Sequence, residues 1–184
     1  MIKKSEGYVF TMDVWLYHEQ PTIANGRVID FSNGAPNDNI MVFFGGNRYR
    51  IVAYVEVGSA ATCHSHSAPH IDLLTTLTRG KMGYRVYLGS TQQSIMSSAV
   101  FPTKTWTRVT VMHTAARLAT ILLDGVAQRV TATGGASLSA DKLSGTVLLP
   151  TGVRRKNNYI GKSNWKNDKL FKGKMKVGDY RASL

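Results

Sequence analysis

The feature that most constrains this sequence is a recurrent alternation of apolar and polar side chains with a period of two. Residues 10–17 place Phe10, Met12, Val14 and Leu16 on one face and Thr11, Asp13, Trp15 and Tyr17 on the other, because successive side chains of an extended strand point to opposite sides. The second face is wet but aromatic. Residues 81–88 repeat the pattern, with Met82, Tyr84, Val86 and Leu88 on one side. So does the end of the chain, where Phe171, Met175 and Val177 alternate with Lys172, Lys174 and Lys176. Strands with one apolar face must be covered by a second sheet, so the expected class is all-β: a two-sheet antiparallel sandwich.

The punctuation between these segments agrees. Asn25-Gly26 is a turn dipeptide, residues 27–31 form a short strand, and residues 32–39 form a long polar loop. Residues 40–44 and 49–57 flank Gly45-Gly46-Asn47, a hairpin connection. Residues 58–80 are irregular. Residues 106–113 and 119–123 read as a strand pair, and Asp124-Gly125 then suits the two-residue type I′ turn leading into a polar strand over 126–131. Trp106, Val109, Val111, Ile121, Leu123 and Ile160 are expected in the sandwich or its immediate cover. At 184 residues the chain reads as one domain, 1–184.

Cys63 is the only cysteine, so no intrachain disulfide forms and packing must hold the fold. The N-terminus runs into the first strand pattern without an apolar core or a small-residue cleavage site, so no signal peptide is read. Secretion would then need a longer parent chain, with an extracellular or particle-surface location. No run of about 18 apolar residues occurs, which leaves no spanning helix.

Several segments in order carry a family resemblance: Phe10-Thr11-Met12-Asp13-Val14-Trp15; Gly26-Arg27-Val28-Ile29-Asp30-Phe31 with Asp38-Asn39-Ile40; Trp106-Thr107-Arg108-Val109-Thr110-Val111; Leu123-Asp124-Gly125-Val126; Asn158-Tyr159-Ile160-Gly161-Lys162-Ser163-Asn164-Trp165; Phe171-Lys172-Gly173; and Val177-Gly178-Asp179-Tyr180-Arg181. Together they resemble the laminin-G/pentraxin/concanavalin-A-like superfamily over nearly the whole chain. The resemblance implies a jelly-roll sandwich that binds ligands at loop rims or on the concave sheet. Family members usually carry one more strand at the start and a few more residues at the end. Their lack here implies either a larger parent polypeptide or an edge covered by a neighbour.

Glycosidases on such sandwiches alternate carboxylates along one strand, with acid and nucleophile about 5 Å apart. Here no two acids lie closer than six residues, Asp13 and Glu19 being nearest, so no enzyme is expected and no catalytic residue is assigned. Cys63, His64, His66 and His70 offer soft and imidazole ligands, but no second Cys/His pair closes a four-ligand zinc site. Calcium is a rim ligand that the resemblance implies. The loop ending in Asp38 has suitable oxygens, with Asp168 or Asp30 as the distant carboxylate. A solvated Asx-rich turn is the alternative.

Charge placement is the strongest functional signal. The net charge is +12, and ten basic residues against Asp168 and Asp179 put +8 of it between Arg154 and Arg181. Such an excess points to an anionic partner. Lys172, Lys174 and Lys176 should form an outward column at about 7 Å spacing, which suits repeating anionic groups. Protection of a sheet edge is the alternative. Trp165 either stacks on a sugar or caps the sandwich. The expected function is non-enzymatic binding of glycans or other polyanions, of lectin or adhesion type, through Arg154, Arg155, Lys156, Asn164, Trp165, Lys172, Lys174 and Lys176. The alternative is a structural part of a larger particle such as a virion, with neighbouring subunits as partners. Nucleic acid binding would rest on charge without a motif.

Overall fold

A computed structural model describes residues 8–19, 26–45, 80–150 and 153–181. The described strands are β1 (Tyr8–His18), β2 (Gly26–Ser32), β3 (Ile40–Gly45), β4 (Lys81–Leu88), β5 (Thr91–Val100), β6 (Trp106–Thr114), β7 (Leu118–Leu123), β8 (Val126–Ala127), β9 (Val130–Thr133), β10 (Ser137–Leu138), β11 (Gly145–Thr146), β12 (Asn157–Ile160) and β13 (Gly173–Arg181). They form two antiparallel sheets. The seven-stranded sheet runs β10-β11-β7-β6-β1-β13, with β8 paired to β7, and the six-stranded sheet runs β12-β2-β3-β4-β5-β9. The molecule is an all-β sandwich with no helix among the described residues, and therefore none long and apolar enough to cross a membrane.

The alternation seen in sequence builds the interior. Phe10, Met12, Val14 and Leu16 from β1 join Val109, Val111, Ile121 and Leu123 from β6 and β7 on the inner face of one sheet. Val28, Ile29, Ile40, Val42, Phe44, Met82, Tyr84, Val86 and Ile95 line the other. Val28 and Ile29 both point inward because the β2–β3 ladder shifts register between Arg27 and Ile29. Within this core the Tyr84 hydroxyl bonds His113 Nδ1 at 3.0 Å, which satisfies two polar groups that burial would otherwise leave orphaned.

The Asp124-Gly125 turn closes a two-residue hairpin in which Leu123 faces Val126. Both turn residues have positive φ, 49° and 82°, as a type I′ turn requires. The polar strand expected over 126–131 is instead two pieces. β8 pairs with β7, whereas β9 pairs with β5, so the chain changes sheets at Gln128 and Arg129. Trp106 and Ile160 also depart from expectation, being 43% and 53% exposed. Trp106 alternates with the buried Thr107 and so points outward beside Tyr17, whereas Ile160 closes β12 at the edge of the six-stranded sheet. The strand expected over 49–57 and the Cys63, His64, His66 and His70 cluster lie outside the described residues.

Both faces of β3 are buried. Met41 and Phe43, which alternate with the core residues Ile40, Val42 and Phe44, form a second cluster with Tyr87 on the outer side of the six-stranded sheet. Met96 and Trp165 pack against it.

Candidate anionic-ligand surface

The lysine column lies where the alternation puts it. Lys174 and Lys176 are exposed while Met175 between them packs on the core. Lys172 is exposed one residue before β13 begins. The start of β13 is fixed by Gly173, whose φ is 153° and where any Cβ would come within 2.0 Å of the Tyr17 carbonyl oxygen. Only glycine allows β13 to approach β1 this closely, and the register follows: Gly173 faces His18, Lys174 faces Tyr17 and Lys176 faces Trp15.

On its other side β1 pairs with β6, so that Tyr17 faces Trp106 and Trp15 faces Arg108. Two rows therefore cross three strands on the outer face of the seven-stranded sheet. One is Lys174, Tyr17, Trp106; the other is Lys176, Trp15, Arg108. In the first row Lys174 Nζ sits 5.6 Å from the Tyr17 ring centre and the Tyr17 and Trp106 rings are 5.7 Å apart, both within range of favourable contact. Between the rows Trp15, Trp106 and Lys176 line an open, predominantly apolar cleft of about 270 Å³.

Charge is distributed unevenly here. The Arg108 guanidinium donates from Nε and Nη2 to both oxygens of Asp13, with Nη2 at 2.5 Å and Nε at 2.9 Å from the nearer oxygen. Thr110 Oγ1 adds a longer bond at 3.3 Å. These hydrogen bonds hold the Asp13 carboxyl below its usual range and push Arg108 up. Asp13 is thus committed as an anion, and Arg108 carries little uncompensated charge. Within these two rows the cations not paired with a carboxylate are Lys174 and Lys176.

The remaining sequence candidates do not join this surface. Asn164 and Trp165 belong to the loop on the outer side of the six-stranded sheet. The Asn164 amide donates to Asp30 Oδ2 at 2.8 Å, and the Trp165 amide donates to Ser163 Oγ at 3.0 Å. Trp165 packs 5.7 Å from Tyr87 and 5.6 Å from the Arg27 guanidinium, so it caps the second apolar cluster. Arg155 donates from Nε to the Asp38 carbonyl at 2.8 Å, and burial pulls its pKa down against the pull of Asp38. The Lys156 amide donates to Asn33 Oδ1. Arg154 and Lys156 are exposed, but they flank β12 at the edge of the six-stranded sheet. The basic C-terminal segment, read as one patch, is divided between the two sheets.

The calcium candidates likewise have other partners. Asp168 Oδ2 accepts from Arg27 Nη2 at 2.5 Å and from Ser163 Oγ at 2.7 Å, and Asp38 Oδ1 accepts from the Gly89 amide. Asp30 Oδ1 accepts from Asn39 Nδ2. A guanidinium bound to Asp168 opposes a second cation, so these residues do not fit a calcium site, and no three His, Cys, Asp or Glu groups converge among the described residues. Arg27 was not singled out from sequence. It is buried between Phe43 and Trp165, and its pairing with Asp168 pins the loop.

Trp15, Tyr17 and Trp106 were also missed as site residues. The signal available was the aromatic outer face of residues 10–17, but nothing local connected it to the lysines. No protein-family model matches the sequence, and no curated protein matches it.

Proposed function

We propose that this chain is a non-catalytic binding module, of lectin or adhesion type, that holds glycans or other polyanions on the outer face of its seven-stranded sheet. The observation that carries this reading is the two-row surface, in which Lys174 and Lys176 stand beside Tyr17, Trp15 and Trp106 on three adjacent strands. Exposed aromatic side chains with a few placed cations suit a ligand that is both apolar-faced and charged. The net charge of +12 adds long-range attraction for anions. The two-sheet sandwich is compatible with the resemblance to laminin-G and concanavalin-A-like domains.

Binding to a sulfated polysaccharide at physiological salt tests the reading. Lys174→Gln with Lys176→Gln should weaken it strongly. Lys166→Gln with Lys169→Gln removes equal charge from the exposed loop on the other sheet and should weaken it little. Equal losses from the two pairs would reduce the effect to net charge and overturn the assignment to this face.

A further inference from the structure

Resting on that reading, we infer that the cleft between Trp15 and Trp106 is a subsite for a single acidic sugar ring, stacked on the indoles with its carboxylate or sulfate held by Lys176. The register places the parts. Trp15 and Trp106 are diagonal neighbours across the β1–β6 ladder, since Trp15 faces Arg108 while Trp106 faces Tyr17. Lys176 faces Trp15 from β13. The cleft thus spans three strands, roughly 10 Å, with indoles along one side and an ammonium at the other. Its volume of about 270 Å³ lies just below the ~300–1,000 Å³ of sites that enclose drug-sized molecules. A single ring laid on an open floor fits it better than an engulfed ligand.

The ligand chemistry follows from the lining. Trp15 and Trp106 are 39% and 43% exposed, and an indole face carries negative π density. The complementary surface is a ring with a face of weakly positive C–H groups, which a pyranose presents while its hydroxyls stay hydrated at the rim. Lys176 selects an anionic substituent from among such rings, and Lys174, one step along the same strand face, is placed for the next charged unit. Single-stranded nucleic acid also stacks on aromatic residues, but it needs a cationic track along about 4–16 nucleotides. Here the neighbouring Arg108 is already neutralised by Asp13. Two lysines match one or two anionic groups, which favours a short acidic saccharide.

The test pairs affinity with intrinsic tryptophan fluorescence, titrating three probes: an acidic oligosaccharide (oligogalacturonate, or a heparin-derived oligosaccharide for the sulfate arm), a neutral oligosaccharide and inorganic polyphosphate. The acidic saccharide should bind and perturb the emission, the neutral one should bind at least about ten-fold more weakly, and polyphosphate should leave the emission unchanged. Trp15→Ala and Trp106→Ala should each lower acidic-saccharide affinity about ten-fold or more, the scale for an aromatic anchor, while polyphosphate binding persists. Lys176→Glu keeps both indoles and should abolish the saccharide response, so the inference stays testable if an alanine variant fails to fold. Unchanged saccharide affinity in folded tryptophan variants, with loss in the lysine pair, would overturn the stacking subsite and leave polyanion binding standing. Unchanged affinity in all variants would overturn both. A fluorescence response to single-stranded oligonucleotide in place of saccharide would overturn the choice of ligand.

Discussion

Lys176 and Trp15 face each other across the ladder between the last strand and the first, so a cation from one end of the chain meets an indole from the other. This pairing makes the outer sheet face a mixed surface and gives a quantitative expectation. If the lysines contribute by displacing counterions, the slope of log affinity against log salt should be shallower by about 1–2 in the Lys174→Gln, Lys176→Gln variant. Isothermal titration at several salt concentrations measures it, and parallel slopes would show that these lysines make no ionic contact.

The hairpin tip is a stability test independent of function. Gly125 has φ 82° and open space around its absent Cβ, so Gly125→Val strains only the backbone. The cost should be about 1–2 kcal/mol, read as a lowered denaturation midpoint with an unchanged urea slope.

Arg27 and Asp168 form an ion pair with side chains only 5% and 13% exposed. Asp168→Asn would leave a buried guanidinium short of its counter-charge and should cost on the order of 3 kcal/mol. Burial already lowers the Arg27 pKa, with Asp168 the leading opposing influence. The double variant Arg27→Met, Asp168→Asn should recover part of the loss, and a double variant worse than the single would show that the pair is not the interaction at stake.

Stability should fall in mild acid. Burial lowers the His113 pKa to about 4, against carbonyl contacts from Val147 and Arg117 that raise it, and burial also lowers His18. Both are neutral above pH ~6.5 whether folded or unfolded. Below that the unfolded chain takes up protons that the folded one resists, so stability present at neutral pH is lost as pH falls from about 6.5 toward 4, on the order of 2–3 kcal/mol. Urea midpoints from pH 7.5 to 4.5 measure the decline. His113→Gln should flatten the decline, and an equally steep one would place the titration elsewhere.

Hydrolysis is not expected. Asp13 lies on the outer face with Asp179 as its register partner on β13, but its carboxylate is held ionised by Arg108 and is poorly suited to donate a proton. Purified protein should release no reducing sugar from acidic or neutral polysaccharides. Release that disappears in Asp13→Asn would contradict the non-catalytic reading.

Sequence by itself determined the local features: the inward and outward faces of residues 10–17, 82–86 and 171–176, the outward lysines, the Asp124-Gly125 turn and the sandwich class, while Leu88, expected on the inner side, is exposed at the end of β4. Each depends on a period of two or on the φ preference of one or two residues, which neighbours in the chain suffice to specify. Tertiary structure decided which strands lie side by side. The diagonal of Trp15 and Trp106, the approach of Lys176, the division of the basic segment between two sheets and the enclosure of Arg27 beside Asp168 all join residues far apart in sequence. Cross-strand register is fixed by non-local pairing, here by Gly173 admitting the Tyr17 carbonyl and by the core faces locking together. Local periodicity carries no information about that pairing, so the lysines and the aromatic face of residues 10–17 could each be placed on a surface from sequence, but not beside one another.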